Sequence, residues 1–514
     1  MRLVLVFLVA VGLFLPTVRY GFVQDDRGII VGNPAAHSLG AAVRAFDQPY
    51  WPPPARGGLY RPATVVTYAV DWGLSSGRPG WFHLVNAILH GLVTVLVVLV
   101  LERWLPSVGA VAAGLVFAVH PVHVEAVASV VSRAELLVAT SLLVAVLAAR
   151  RRWWVAAVLA ATLAMFSKEH GVMTGVVILL DDWLRPQGTR RYPILFYAAL
   201  AAVTVGYLTV WYTVGRGAAA DMAPAFLGAS AGARLAIALP AILQAARLLV
   251  WPLDLSADYN PQVIAAPATF GVAAMGGVLV VVVVLGLILT RRRTPALAFA
   301  AALAALAYLP TSNLLFPSGI LLAERNLYLP VLLVAVLAGI GVVVIAARTA
   351  SYQRTAAAIA AVTVALGIRS ALRLPVWEDN RALLITTLVE HPESYRAHFS
   401  AAAVSAGLGD TAGARREYAI ADSLFPRDPG VTAARAYYLL GLGDTTGVAA
   451  LITRARGLEP RQPVAARASF LLDLRRGDVA RARALADSAA SWYPSEVPWY
   501  AAYLRGLSEA LRPS

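Results

Sequence analysis

Residues 409–478 read GDTAGARREYAIADSLFPRDPGVTAARAYYLLGLGDTTGVAALITRARGLEPRQPVAARASFLLDLRRGD. The Gly-Asp pair that opens this stretch returns at 443–444 and at 477–478, 34 residues later each time. Pro392, Pro426, Pro460 and Pro494 keep the same period, and so do Ala421, Ala455 and Ala489. A turn in mid-repeat, small residues where paired helices touch and a proline closing the second helix form the tetratricopeptide pattern at its 34-residue period. The spacing predicts repeats at about 395–428, 429–462 and 463–496, preceded by a half-repeat at 376–393. Residues 376–514 are therefore expected to form a short helical solenoid. Its groove is a candidate surface for a protein acceptor or partner, the alternative being that it packs on the rest of the chain.

Outward from the repeats, the composition changes. The whole chain is 59% hydrophobic and 14% charged, with a mean hydropathy of +0.68. Soluble domains carry about a quarter charged residues, so residues 1–375 are expected to lie largely in lipid. They hold 27 basic and 14 acidic groups, against 16 and 15 in the tail. Basic charge on an apolar domain reads as loop anchoring at anionic lipid, and nucleic-acid binding is set aside. The absence of cysteine excludes disulfides, thiol catalysis and cysteine-based zinc sites.

Apolar runs near the ~20 residues that a bilayer needs predict eleven spans. They fall at about 3–18, 83–101, 107–119, 135–149, 153–166, 171–184, 192–214, 269–290, 295–309, 326–347 and 355–370. The fold class is thus all-α, a polytopic bundle followed by the solenoid. Arginine clusters at 150–152, 185 with 190–191, 291–293, and 348 with 354 read as cytoplasmic. The N-terminus then lies inside, and the loop at about 19–82 and the solenoid lie outside, at an inner membrane. Segment 231–250, carrying Arg234, Gln244 and Arg247, is expected to be interfacial or re-entrant. By this parity only Glu102, Asp181 and Asp182, of the carboxylates before residue 376, lie inside. Chemistry is expected on the outer face.

Five places there carry candidates. Asp25 and Asp26 are adjacent carboxylates just past a membrane helix, where repulsion and lost solvation raise one pKa. Such a pair suits a general base, or a divalent cation such as Mg or Mn; a solvated loop start is the plainer alternative. Arg61, in Tyr60-Arg61-Pro62, is a phosphate ligand or an interface arginine. His120 and His123 are i,i+3 and favour hydrogen-bonded structural roles over metal, while Glu125, Arg133 and Glu135 suit either a structural bridge or a polar donor site. Lys168 is the one lysine beside 42 arginines, which suggests a compact ammonium for a phosphate, with a Lys168–Glu169 pair as the alternative. Glu324 and Arg325 again set an acid and a base at the end of a span.

FVQDD at 22–26, YRPATVVTY at 60–68, FHLVNAILH at 82–90, AVHPVHVEAVASVVSRAELL at 118–137, FSKEHGV at 166–172 and NLLFPSGILLAERNLYLP at 313–330 occur in this order. With VWEDNRALL at 376–384 they resemble the transmembrane-and-tetratricopeptide O-mannosyltransferases and their bacterial relatives, of the GT-C glycosyltransferase superfamily. The resemblance implies a polyprenyl-phosphate-linked sugar, mannose, transferred with inversion to a hydroxyl of an acceptor protein on the outer face. It also implies a catalytic acid in the first outer loop, here Asp25 or Asp26. Arg61, Lys168 and Arg325 become candidates to stabilise the departing phosphate, with Glu125, Arg133, Glu135, Glu169 and Glu324 around the donor. Two rivals remain: a non-catalytic membrane-anchored scaffold for periplasmic partners, and a transporter of a lipid-linked sugar.

Overall fold

The computed structural model describes all residues except 53–58, 186–188, 190, 216–221, 265–268, 350, 493–497 and 512–514. Arg190, Asp221 and Pro494 lie outside the described residues. The described chain is helical without strands; a single bridge joins Tyr259 to Leu322.

Eight helices are long and apolar enough to cross a membrane: Arg2–Arg19, Pro79–Leu101, Val130–Arg150, Ile194–Gly215, Ala231–Val250, Val272–Arg292, Val331–Arg348 and Gln353–Trp377. Ser107–Val119, Trp154–Ser167 and Pro295–Thr311 are shorter apolar helices. The chain is thus an all-α, multi-pass membrane bundle. The span expected at 171–184 forms a 3-10 turn, Glu169–Met173, leading into a ten-residue helix, Thr174–Trp183.

Ion pairs sort the two ends of the bundle. At one end, Arg2 pairs with Glu102 at 2.8 Å and Arg150 grips Asp181 at 2.7 Å. Arg103 reaches Asp181 at 3.4 Å, Arg185 reaches Asp182 at 3.4 Å, and the Arg291 guanidinium lies 3.7 Å over the Trp183 ring. This end gathers the three carboxylates that parity separated from the rest. The other end carries the loop after the first helix, residues 312–330 and the tail. It is called here the site face.

Ala231–Val250 has the length and composition of a span, yet both its ends meet the site face. His120 Nε2 contacts the Leu249 carbonyl at 3.0 Å, and just before the helix Ala223 N–H donates to Ser318 O at 2.9 Å. It crosses Val272–Leu289 at Gly276 and Gly277, where a Cβ on Gly277 would stand 2.1 Å from Leu239 O. Only a residue without a side chain permits that approach.

The first loop is a packed unit of its own. Ile29, Ile30, Tyr50, Val65, Tyr68 and Phe82 form a separate buried cluster, which the helix Pro62–Ser75 closes. In the tail, helix pairs Tyr395–Gly407 with Thr411–Leu424, Pro429–Gly441 with Val448–Leu458, and Pro463–Arg475 with Val479–Trp492 follow the predicted period. At the mid-repeat turns Gly409, Gly443 and Gly477 take φ of +77°, +83° and +75°, a region that glycine enters without steric cost. Asp410 then caps the next helix through Gly413 N–H, and Asp478 does so through Arg481 N–H. The conserved-period Ala421, Ala455 and Ala489 are buried where helices meet.

Candidate active site

The adjacent carboxylates of the first loop part company. Asp26 is completely buried: its Oδ2 accepts from Val23 N–H at 3.0 Å and its Oδ1 from Val131 N–H at 2.8 Å. It staples the loop to the bundle, and burial pushes its carboxyl up to about 7, against the pull of those N–H groups. Asp25 is exposed and faces a cavity of about 500 Å³. The backbone just before them is held at Gln24, with φ +43°, whose N–H donates to Asn380 Oδ1 at 2.8 Å. A cation held jointly by Asp25 and Asp26 does not fit this arrangement, because both Asp26 oxygens are committed to backbone donors. No group of three metal-ligating side chains occurs among the described residues.

Four segments wall the cavity: Gln24 and Asp25; Ala257, Asp258 and Tyr259; residues 320–325; and the first tail helices around Asn380, Leu384, Arg396 and Val404. Arg325 is the predicted cation that reaches it, with 31% of its side chain exposed. Glu125 receives both the Arg325 N–H, at 2.9 Å, and its guanidinium. Burial opposes the Arg325 charge, but Glu125 and then Asp25 outweigh it and raise its pKa. The guanidinium is thereby fixed and charged opposite Asp25.

The other predicted residues are placed differently. Arg61 is not at the cavity: its Nε and Nη2 clasp the Glu169 carboxylate at 3.0 and 2.7 Å, and Tyr60 N–H adds a bond of 3.2 Å. Lys168 pairs with Glu135 rather than with its neighbour Glu169, and His170 lies 3.4 Å from the same carboxylate. Burial holds His170 down to about 4, so it is neutral there. Arg133 is wholly buried between the rings of Tyr68 and Phe82, bonded to Asp71 at 2.5 Å and Asn86 at 2.8 Å. It is a cross-link through the bundle, not a donor ligand. Arg61 and Arg325 still lie within electrostatic reach of Lys168, so a row of charge pairs runs back from the cavity. Glu324 turns away from the cavity and accepts from Ser256 N–H at 2.7 Å and Tyr259 O–H at 2.8 Å; burial pushes it up to about 7. His120 and His123 bond to the carbonyls of Leu249 and Tyr328, the structural role expected of them.

The contacts that brace one wall escape a reading of the sequence. Asp258 pairs with Arg396 at 3.3 Å, Asn260 Nδ2 donates to Ser394 Oγ at 2.6 Å, and Gln262 Nε2 donates to Leu424 O at 3.0 Å. These bonds lock the segment after Ala231–Val250 to the first tail pair. The cluster of polar residues at 256–262 was the available signal, but its partner lies more than a hundred residues on.

No family model matches the chain, and no solved structure matches it. Curated relatives do. It is 30% identical over 324 residues to the protein O-mannosyl-transferase F38B6.6 of Caenorhabditis elegans, across 60% of this chain and 46% of that protein. It is 42% identical over 130 residues to the protein O-mannosyl-transferase Tmtc2 of Drosophila melanogaster, across 24% of this chain and 14% of that one. It is 26% identical over 488 residues to the human protein O-mannosyl-transferase TMTC4, across 80% of this chain and 64% of that protein. The chain spans about half the length of the nematode relative and less than two thirds of the human one. An all-α membrane bundle and a tail of helix pairs at a 34-residue spacing thus accompany the similarity of this chain to the TMTC-type protein O-mannosyl-transferases.

Proposed function

We propose that the chain is a membrane glycosyltransferase that moves mannose from a polyprenyl-phosphate donor to a hydroxyl of an acceptor protein at the site face, outside an inner membrane whose cytoplasmic side holds the arginine-rich end. The observation that carries this reading is the cavity in which an exposed Asp25 faces a fixed Arg325 between the bundle and the tail. The names of the relatives support the reaction class.

In the proposed reaction Asp25 takes the proton of the acceptor hydroxyl as its oxygen attacks the anomeric carbon. A carbon–oxygen bond forms there, the bond from that carbon to the phosphate oxygen breaks, and the lipid phosphate leaves with the electron pair. Arg325, held by Glu125, is the guanidinium placed to receive the phosphate. A positioned base contributes ~10²–10⁴-fold, and a preorganised charge at the leaving group adds to it. Lys168 and Arg61, each matched to a carboxylate, shape the field behind Arg325 without touching the cavity.

The test is a transfer assay on purified protein in lipid nanodiscs, with radiolabelled polyprenyl-phosphate-mannose and a mixture of extracted proteins. Labelled protein with the wild type, and a loss of ~10²–10⁴-fold in Asp25→Asn, is the expected result. Wild-type turnover in Asp25→Asn would overturn the base assignment. Donor bound neither with nor without acceptor would favour the scaffold.

A further inference from the structure

The wall that the tail lends to the cavity is one instance of a repeating cleft. Leu384 and Val404 line the cavity. Tyr418 and Tyr438, each 34 residues further on, line a second cleft of about 240 Å³. Ile452 and Leu472, another 34 on, line a third of about 380 Å³. The same two positions of successive repeats thus floor three clefts in register, and the first of them is the site with Asp25 and Arg325.

Arginines rim the second and third clefts, paired with carboxylates in the second and in excess over them in the third. Arg415 and Arg435 border the second, where Asp444 and the buried Asp422 pair with them at 2.7 Å. Arg456, Arg476 and Arg481 border the third, against one carboxylate, Asp473. Asp473 is buried and approached by Arg481 at 3.6 Å, while its Oδ2 accepts no hydrogen bond. Among the described residues, the guanidinium groups of Arg456 and Arg476 have neither an ion pair nor a hydrogen bond. An apolar and aromatic floor with an arginine rim is complementary to an extended polypeptide bearing carboxylates.

We infer that the three clefts form one track, and that the track binds an extended acidic segment of the acceptor polypeptide and leads its hydroxyl to Asp25. This deepens the transferase reading and rests on it for the reaction, but not for the binding. Successive repeats offer equivalent subsites, so each further cleft occupied adds effective concentration at the first. Acceptors are selected by carboxylates well away from the modified residue.

The experiment uses the full chain in nanodiscs of neutral lipid and a fluorescein-labelled peptide of alternating Glu and Thr, with an alternating Gln and Thr peptide as control. Anisotropy should report binding of the acidic peptide only, weakening as salt rises. Arg456→Ala with Arg476→Ala should weaken it roughly tenfold, the loss of two rim ion pairs. Both arginines are unpaired, so the fold should survive their removal; an unchanged thermal midpoint checks this. Equal binding of the Gln peptide, or no change in the arginine variant, overturns the inference. Binding with the expected pattern but no mannose transfer upholds the track and removes the transferase reading. Transfer that ignores both peptide charge and these arginines leaves the transferase reading and removes the track.

Discussion

Asp25 and Asp26 differ by one position and by everything around them. Asp25→Asn changes an exposed side chain, so the thermal midpoint should hold while transfer falls. Asp26→Asn turns an amide donor towards one of two backbone N–H groups that need an acceptor, a cost of about 1–3 kcal/mol. A lowered midpoint with activity per folded molecule largely kept would separate the two roles; the reverse pattern would exchange them. Glu324 supplies a pH test. Its pKa is raised to about 7 by burial, above the unfolded carboxylate range, so its contribution to stability is full below that range and declines as pH rises through about 7. Protection factors at residues 256–260, corrected for the intrinsic pH dependence of exchange, should fall between about pH 5 and pH 7, and Glu324→Gln should flatten the change. The sequence showed that a carboxylate pair lay there but not which member was free, because that depends on Val131 and Asn380, far along the chain. Lys168 was legible as exceptional, yet its partner is Glu135 across a helix pair rather than the adjacent Glu169.

At the scale of elements, the motif Tyr60-Arg61-Pro62 and the motif Ser167-Lys168-Glu169-His170 form one joint. Arg61 clasps Glu169, and Thr64 Oγ1 donates to Ser167 O at 2.8 Å. Both charged side chains are mostly buried, and removing one partner strands the other. Arg61→Ala should cost about 3 kcal/mol, and adding Glu169→Ala should not increase the loss, as unfolding in detergent would show; additive losses would mean that the pair is not coupled. Helices and repeats were readable because their signals are local: apolar length for spans, a 34-residue period for the tail. The segment 231–250 was readable as unusual from Arg234, Gln244 and Arg247, and its contacts place both ends on the site face. The joint between motifs was not readable, since each charged residue had a nearer candidate partner in the sequence.

For the whole molecule, the tail completes the site rather than hanging from it. Gly21 N–H donates to Glu378 O at 2.9 Å, Gln24 N–H to Asn380 Oδ1, and Arg396 pairs with Asp258. A chain ending at residue 375 should insert and remain helical by circular dichroism but lose transfer; turnover by that truncation would detach the tail from catalysis. The bond from Gln24 to Asn380 closes a loop of 356 residues, nearly the whole bundle. During synthesis the first loop emerges long before the segment that braces it, and contacts of such separation form late. A chain that stops short of the first tail helices lacks the wall that Asn380, Arg396 and Val404 give the cavity. The order of synthesis thus makes the cavity the last part of the site face to close, once residues to about 404 have been made.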